Sequence, residues 1–247
     1  LATFLSNTVA CCYFLVLIFV RRGKTLVSVD PRLFRFNKRI ASDIFGVGVP
    51  ASIQNLLNVT SMTIFNNFAA AYGADVMAAM GIAHKIQMVP MQISMGASQG
   101  IMPFVGYNYA SENRDRMKNS ILYVAVRMVA FVIVMAGVCI VFGRNLMGLF
   151  IQTESVIAYG AAFLVGFMLA MPFQFIDFLG VGVYQAIGDG KTALLFAFLR
   201  KIVLEIPALC LLNWLFPLYG LAYAQFVAEV VLATAIEPNP DVRKIAT

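Results

Sequence analysis

Long apolar runs alternate with short polar gaps along this chain. They mark out seven segments, roughly 1–20, 44–72, 76–109, 119–143, 155–187, 192–214 and 217–236. No charged side chain intervenes between Asp43 and Asp75, between Lys85 and Glu112, or between Glu205 and Glu229. About 20 apolar residues, rising ~1.5 Å each, cross a hydrocarbon core of ~30 Å, and several of these runs are longer. The pattern predicts an all-α integral membrane protein with about seven transmembrane helices.

Composition agrees. The chain is 61% hydrophobic and only 12% charged, with a mean hydropathy of +0.83, values foreign to a soluble domain of this size. All the basic residues except Lys85, Arg127 and Arg144 fall at every second gap. Arg21, Arg22, Lys24, Arg32, Arg35, Lys38 and Arg39 lie in 21–42. Arg114, Arg116 and Lys118 follow the third span. Lys191 follows the fifth, with Arg200 and Lys201 early in the next span, and Arg243 and Lys244 lie in the tail. The positive-inside rule puts those gaps in the cytoplasm, so the chain is expected to start outside a cell (plasma or inner) membrane, cross it seven times and end inside. The net charge of +6 is then topological: it suits acidic lipid headgroups and implies no nucleic-acid partner.

The opening run, without a basic n-region or cleavage site, reads as a membrane span of a longer polypeptide rather than a signal peptide. Cys11, Cys12, Cys139 and Cys210 all fall in predicted spans, without metal spacing, and serve as small apolar residues.

The spans are interrupted. Pro50, Pro90, Pro103, Pro172 and Pro207 lie inside four of them, with Gly46, Gly48, Gly96, Gly100 and Gly106 nearby, so kinks are expected. Discontinuous helices of this kind favour a transporter. The second and third spans also carry many uncharged polar side chains, among them Gln54, Asn58, Ser61 and Gln99. Gln54, Asn58 and Ser61 recur on one helix face. They either line a cavity or bond helix to helix, since an amide facing lipid is costly.

Three carboxylates fall near mid-membrane. Counted from Gly188, Thr192 and Pro217, Asp177, Glu205 and Glu229 each sit roughly 16–20 Å from one end of their span at ~1.5 Å per residue. Such groups need pairing, a proton or a cation, at a cost of ~2.5–3.5 kcal/mol each if left charged. Glu205 reads as a structural pair with an intramembrane cation: Lys85 and Arg127 are available, and Arg200 lies about one turn away. Lys85 either snorkels outwards or neutralises a carboxylate, and His84 is a polar packing residue. One histidine supplies neither a zinc site nor a hydrolytic one, and no polar catalytic cluster is evident, so no enzyme and no cofactor is expected.

Three local motifs, taken together, are specific: Gly46-Val47-Gly48-Val49-Pro50 with Gln54; Gln99-Gly100-Ile101-Met102-Pro103-Phe104-Val105-Gly106-Tyr107-Asn108-Tyr109; and Gln185-Ala186-Ile187-Gly188-Asp189-Gly190-Lys191 with Arg200 and Pro207. In this order and spacing the chain resembles the second lobe of the multidrug and toxic compound extrusion (MATE) family, from about Phe36 to about Ile236. The resemblance implies two six-helix lobes, twelve helices in all. It makes 1–20 the last helix of a first lobe lying upstream, 21–42 the cytoplasmic linker, 43–236 the second lobe and 237–247 a cytoplasmic tail. It implies a secondary active antiporter exporting organic cations or amphipathic drugs in exchange for H⁺ or Na⁺. The family's frequent second-span carboxylate aligns with Asn58, an amide here. Its fifth-span acid resembles Asp177, in Gln174-Phe175-Ile176-Asp177, and its last-span acid Glu229. Asp177 (with Na⁺ possible there) and Glu229 are thus the ion-coupling candidates, and Gln54, Asn58, Ser61, Gln99 and Gln174 the cavity-lining ones.

Two rivals remain at this point. A lipid-linked-sugar flippase of the wider superfamily would want a cationic cavity, for which Lys85 and Arg127 are few. A seven-helix receptor or retinal protein also matches seven spans, but a retinal protein would want a lysine in 217–236.

Overall fold

The computed structural model describes residues 2–20 and 37–235, and among these every regular element is a helix. The chain divides into two units, Leu1–Ser42 and Asp43–Thr247. In the first, α1 (Ala2–Val20) is apolar and largely exposed. Most of the proposed linker 21–42 and all of the tail 237–247 lie outside the described residues.

The second unit holds the rest: α2 (Lys38–Ala70, which begins in the first unit), α3 (Ala74–Ala110), α4 (Arg114–Val141), the short α5 (Gly143–Gly148), α6 (Glu154–Ala186), α7 (Gly190–Phe198), a π-helical segment Leu199–Glu205, α8 (Ile206–Leu215) and α9 (Tyr219–Ala235). Residues 190–215 form one continuous rod, so six long elements correspond to the last six predicted spans. Two differences stand out. The second span begins at Lys38 rather than 44, and 143–148 forms a helical turn within a gap the hydropathy pattern leaves structureless.

α4 and α6 are long enough to cross a membrane and contain apolar windows of mean hydropathy 2.7 and 2.0. α6 lies at the centre. It packs on α3, α4 and α9, and its Phe163, Phe167, Met168, Met171 and Phe175 are buried. Small residues let its neighbours approach. A Cβ on Gly166 would come within 2.6 Å of the Ala222 carbonyl on α9, and one on Gly182 within 2.7 Å of Ser98 Oγ on α3. Ser98 Oγ also donates to the Phe178 carbonyl at 2.8 Å. Close backbone contact through small residues is how helices associate where no hydrophobic drive separates protein from lipid.

The polarity of the unit is inverted. Phe45, Leu56, Val134, Val141 and Trp214 are among many large apolar side chains left exposed, whereas Gln87, Gln174, Arg200, Lys201, Glu205 and Glu229 are buried. A soluble domain rarely exposes apolar surface on this scale; helices facing hydrocarbon must.

The three motifs pack at one end of this unit. The Gly106 position meets the Ala186 carbonyl, and Gly190 abuts Gly46, Val47 and Pro50. Gly188, at φ +85°, ends α6 in the left-handed region that glycine tolerates. Asp189 then caps α7: its Oδ1 accepts from Thr192 N–H at 3.1 Å and its Oδ2 from Thr192 Oγ1 at 2.6 Å. Much of the motif content is therefore architectural.

Candidate functional site: a buried ion cluster beside a polar cavity

The π segment sets the geometry. Pro207 has no N–H, and its ring crowds the carbonyl four residues back. The turn before it is widened, and Ile206 N–H bonds to the Lys201 carbonyl five residues earlier. This segment presents Arg200, Lys201 and Glu205 to the interior, where all three are buried.

Arg200 is only 1% exposed. Its Nη1 donates to Asp177 Oδ2 on α6 at 2.5 Å and to Glu229 Oε1 on α9 at 3.5 Å, and its Nη2 donates to Asn58 Oδ1 on α2 at 3.3 Å. The guanidinium also lies over the Phe178 ring, 5.3 Å from its centroid. One turn on, Lys201 Nζ donates to Glu205 Oε2 at 2.6 Å, and Ser61 Oγ donates to Glu205 Oε1 at 2.6 Å. The charges of the cluster thus come from three elements, α6, the π segment and α9, and α2 adds the neutral Asn58 and Ser61.

A cavity of about 350 Å³ adjoins this cluster. Arg200, Lys201 and Glu205 contribute to its wall together with Asn58, Gln174 and His84, and Phe65, Met62, Met91 and Met95 supply apolar surface. His84 stacks on Phe167 with centroids 4.5 Å apart and meets Phe65 edge-on. Three polar atoms of cavity-lining residues, Gln174 Oε1, His84 Nε2 and Arg200 Nε, are buried without a protein hydrogen-bond partner. Buried polar atoms are normally satisfied, so such atoms point to water or a ligand.

The site residues named from sequence separate as follows. Asp177, Glu229 and Asn58 converge on Arg200. Ser61 donates to Glu205, the acid that pairs with Lys201. Gln174 lines the cavity. Gln54 lies further along α2 and accepts from Gln185 Nε2 at 3.2 Å. Gln99 is exposed on α3 and is not part of the cavity wall. Lys85 and Arg127 are exposed too, and Arg127 lies over the Tyr123 ring. The cations that meet the buried acids are Arg200 and Lys201, which the charge pattern counts with the cytoplasmic charge. Their depth was the available signal: Arg200 lies about ten residues, or ~15 Å, past the start of α7, too deep for a headgroup contact. The Lys201–Glu205 spacing of four also marks a helix pair. Among the described residues, no group of three or more His, Cys, Asp or Glu side chains is placed to hold a metal ion.

Comparison with known proteins places this arrangement. The MatE family pattern matches residues 50–211. The multidrug export protein MepA of Staphylococcus aureus strain MRSA252 is 33% identical over 236 residues, covering 95% of this chain and 51% of that protein. MepA of Staphylococcus saprophyticus is 32% identical over 235 residues, with the same coverage. The chain therefore spans about half the length of the curated relatives it matches. Among solved structures, the outward-facing conformation of a multidrug resistance MATE family transporter of the MOP superfamily aligns with a TM-score of 0.89 at 20% identity, over 99% of this chain and 56% of that one. The bent form of the Vibrio cholerae MATE transporter VcmN aligns with a TM-score of 0.78 at 18% identity, over 89% of this chain and 49% of that one.

Proposed function

Because this chain belongs to the MatE family, a family of multi-pass membrane transporters, we propose that it supplies one lobe of a secondary active antiporter exporting organic cations or amphipathic drugs in exchange for H⁺ or Na⁺. The partner surface is the other six-helix lobe, and transport proceeds by rocking of the two lobes about a shared cavity. α1 closes the first lobe, 21–42 joins the lobes on the cytoplasmic side, and the chain runs from outside to inside.

The observation that carries this reading is the buried ion cluster opening onto a largely apolar cavity with a few polar groups in its wall. Charged groups inside a membrane bundle are rare and mark ion or substrate paths. Asp177 with Glu229 forms the coupling site, alternately loaded and discharged, and Asn58, Ser61 and Gln174 line the path beside it. Gln54 extends this polar face along α2, and Gln99 on α3 faces outwards, where a second lobe would meet it.

The flippase alternative asks for unpaired cations facing the cavity. Arg200 and Lys201 are each engaged by a carboxylate, which favours a cationic or amphipathic substrate over a pyrophosphate. In an efflux-deficient host, the full-length polypeptide should lower accumulation of a lipophilic monocationic dye several-fold, and the effect should vanish when the membrane gradients are collapsed. Dye accumulation equal to the empty host would overturn the proposal.

A further inference from the structure

Two cations face three carboxylates in this cluster. Arg200 is held by Asp177, Glu229 and Asn58, and Lys201 by Glu205, which Ser61 also binds. α2 contributes only the neutral Asn58 and Ser61 to the cluster, α6 contributes Asp177, and α9 contributes Glu229. From α3, His84 is the titratable group on the adjoining cavity wall.

Oxygen donors converging from three helices are the kind of set that takes a hard cation in a membrane transporter. Here the point between Asp177 Oδ2, Glu229 Oε1 and Asn58 Oδ1 is filled by a guanidinium. That group keeps its proton at any physiological pH and is tethered to the backbone, so it cannot travel down a gradient. With every acid ionised, the cluster would carry one uncompensated negative charge in an interior where Arg200 and Glu229 are 1% and 2% exposed. A lone buried charge of that kind is neutralised rather than tolerated.

We propose that Arg200 occupies the position a coupling metal ion would take, and that the cluster instead binds one exchangeable proton, which makes this lobe proton-coupled and indifferent to Na⁺. The inference rests on the antiport reading and names its ion. The proton belongs to the three acids jointly, but Glu229 is its best seat. Asp177 has a contact of 2.5 Å to Arg200, and Glu205 is bound by both Lys201 and Ser61, whereas among the described residues Glu229 is reached by Arg200 alone, at 3.5 Å. Gln174 Oε1 and His84 Nε2, unpartnered on the cavity wall, offer hydrogen bonds to water along the approach.

Charge counting makes the test quantitative. The full-length protein in lipid nanodiscs is examined by infrared difference spectroscopy at neutral pH, with NaCl exchanged for choline chloride. The wild type should show one protonated carboxyl band that shifts on isotopic labelling of glutamate and does not respond to Na⁺. Asp177→Asn, Glu205→Gln and Glu229→Gln should each abolish it, because two cations then balance two acids. Arg200→Gln should show either a second protonated carboxyl or a new saturable response to Na⁺. A wild-type carboxylate response to Na⁺, or a wild type without the band, would overturn the proposal even if no variant folds; so would an Arg200→Gln spectrum identical to wild type. The measurement requires no transport. A protein that exports nothing yet holds one Na⁺-insensitive proton supports this proposal while failing the antiport reading.

Discussion

At the scale of single residues, the two sides of the Arg200 network are unequal. Removing the guanidinium strands Asp177 and Glu229 in the interior, and breaking a buried pair in this way costs roughly 3–5 kcal/mol. Arg200→Met should therefore lower the melting temperature in detergent markedly. Asp177→Asn is milder, because the amide oxygen still accepts from Arg200 Nη1 and the side-chain shape is retained. Full-length Asp177→Asn should insert and melt close to wild type, yet lose gradient-driven efflux, since it cannot alternate between loaded and discharged states. Efflux and thermal melting measured on the same preparations separate the two effects. If Asp177→Asn exports at the wild-type rate across roughly pH 6 to 8 with Na⁺ varied, Asp177 only holds Arg200 in place, and Glu229 becomes the remaining candidate for coupling.

At the scale of elements, the widened turn at 199–205 ties the cluster to the helix that carries it. Pro207→Ala returns an N–H to the backbone and removes the ring, so the turn can tighten to ordinary α-helix. One residue fewer in the turn rotates α7 against α8 by about 100°, which turns Arg200 away from Asn58 and Asp177. The variant should keep its helical circular dichroism but lose most efflux; unchanged efflux would mean the π turn is incidental. Gly166 gives a packing test. Gly166→Val would drive a branched side chain into the Ala222 backbone, and an overpacked contact costs about 1–3 kcal/mol, read as a lower melting temperature. The same two features show what the sequence could disclose. Span lengths follow from bilayer thickness, so the long helices come out within a few residues. The polar face of α2 is equally legible, because Asn58 and Ser61 keep helical spacing and both reach the cluster. α5 escapes because six residues in a gap leave no periodic signal. The π turn escapes because hydropathy does not report one extra residue per turn. Arg200 and Lys201 are counted with the cytoplasmic charge because they lie near a span's start; Arg200 is legible as an intramembrane cation one turn from Glu205, but its pairing with Asp177 and the Lys201–Glu205 pair are not. Gln99 shows the converse: an amide in an apolar run can point away from the bundle.

At the scale of the whole molecule, the inverted polarity of the second unit and its lobe-length match to MATE structures leave two expectations for experiment. Residues 1–247 expressed alone should confer no drug resistance, because a cavity between two lobes lacks its other wall; resistance from this stretch alone would contradict the two-lobe reading. The second expectation concerns orientation, which the positive-inside argument predicts and on which every assignment of ion direction depends. The connections 111–113 and 187–189 adjoin Arg114, Arg116, Lys118 and Lys191, whereas 71–73, 142–153 and 216–218 offer only Arg144. The first pair should therefore face the cytoplasm and the others the exterior. Single cysteines at Asn113 and Gln152, placed in a full-length background with Cys11, Cys12, Cys139 and Cys210 replaced, report on opposite ends of α4 and its neighbours. A membrane-impermeant maleimide should label Gln152→Cys in intact cells, and Asn113→Cys only after permeabilisation. The reverse pattern would invert the topology, and with it the side from which the Arg200 cluster loads its ion. Equal labelling of both in intact cells would mean that the spans between them do not cross the bilayer as drawn.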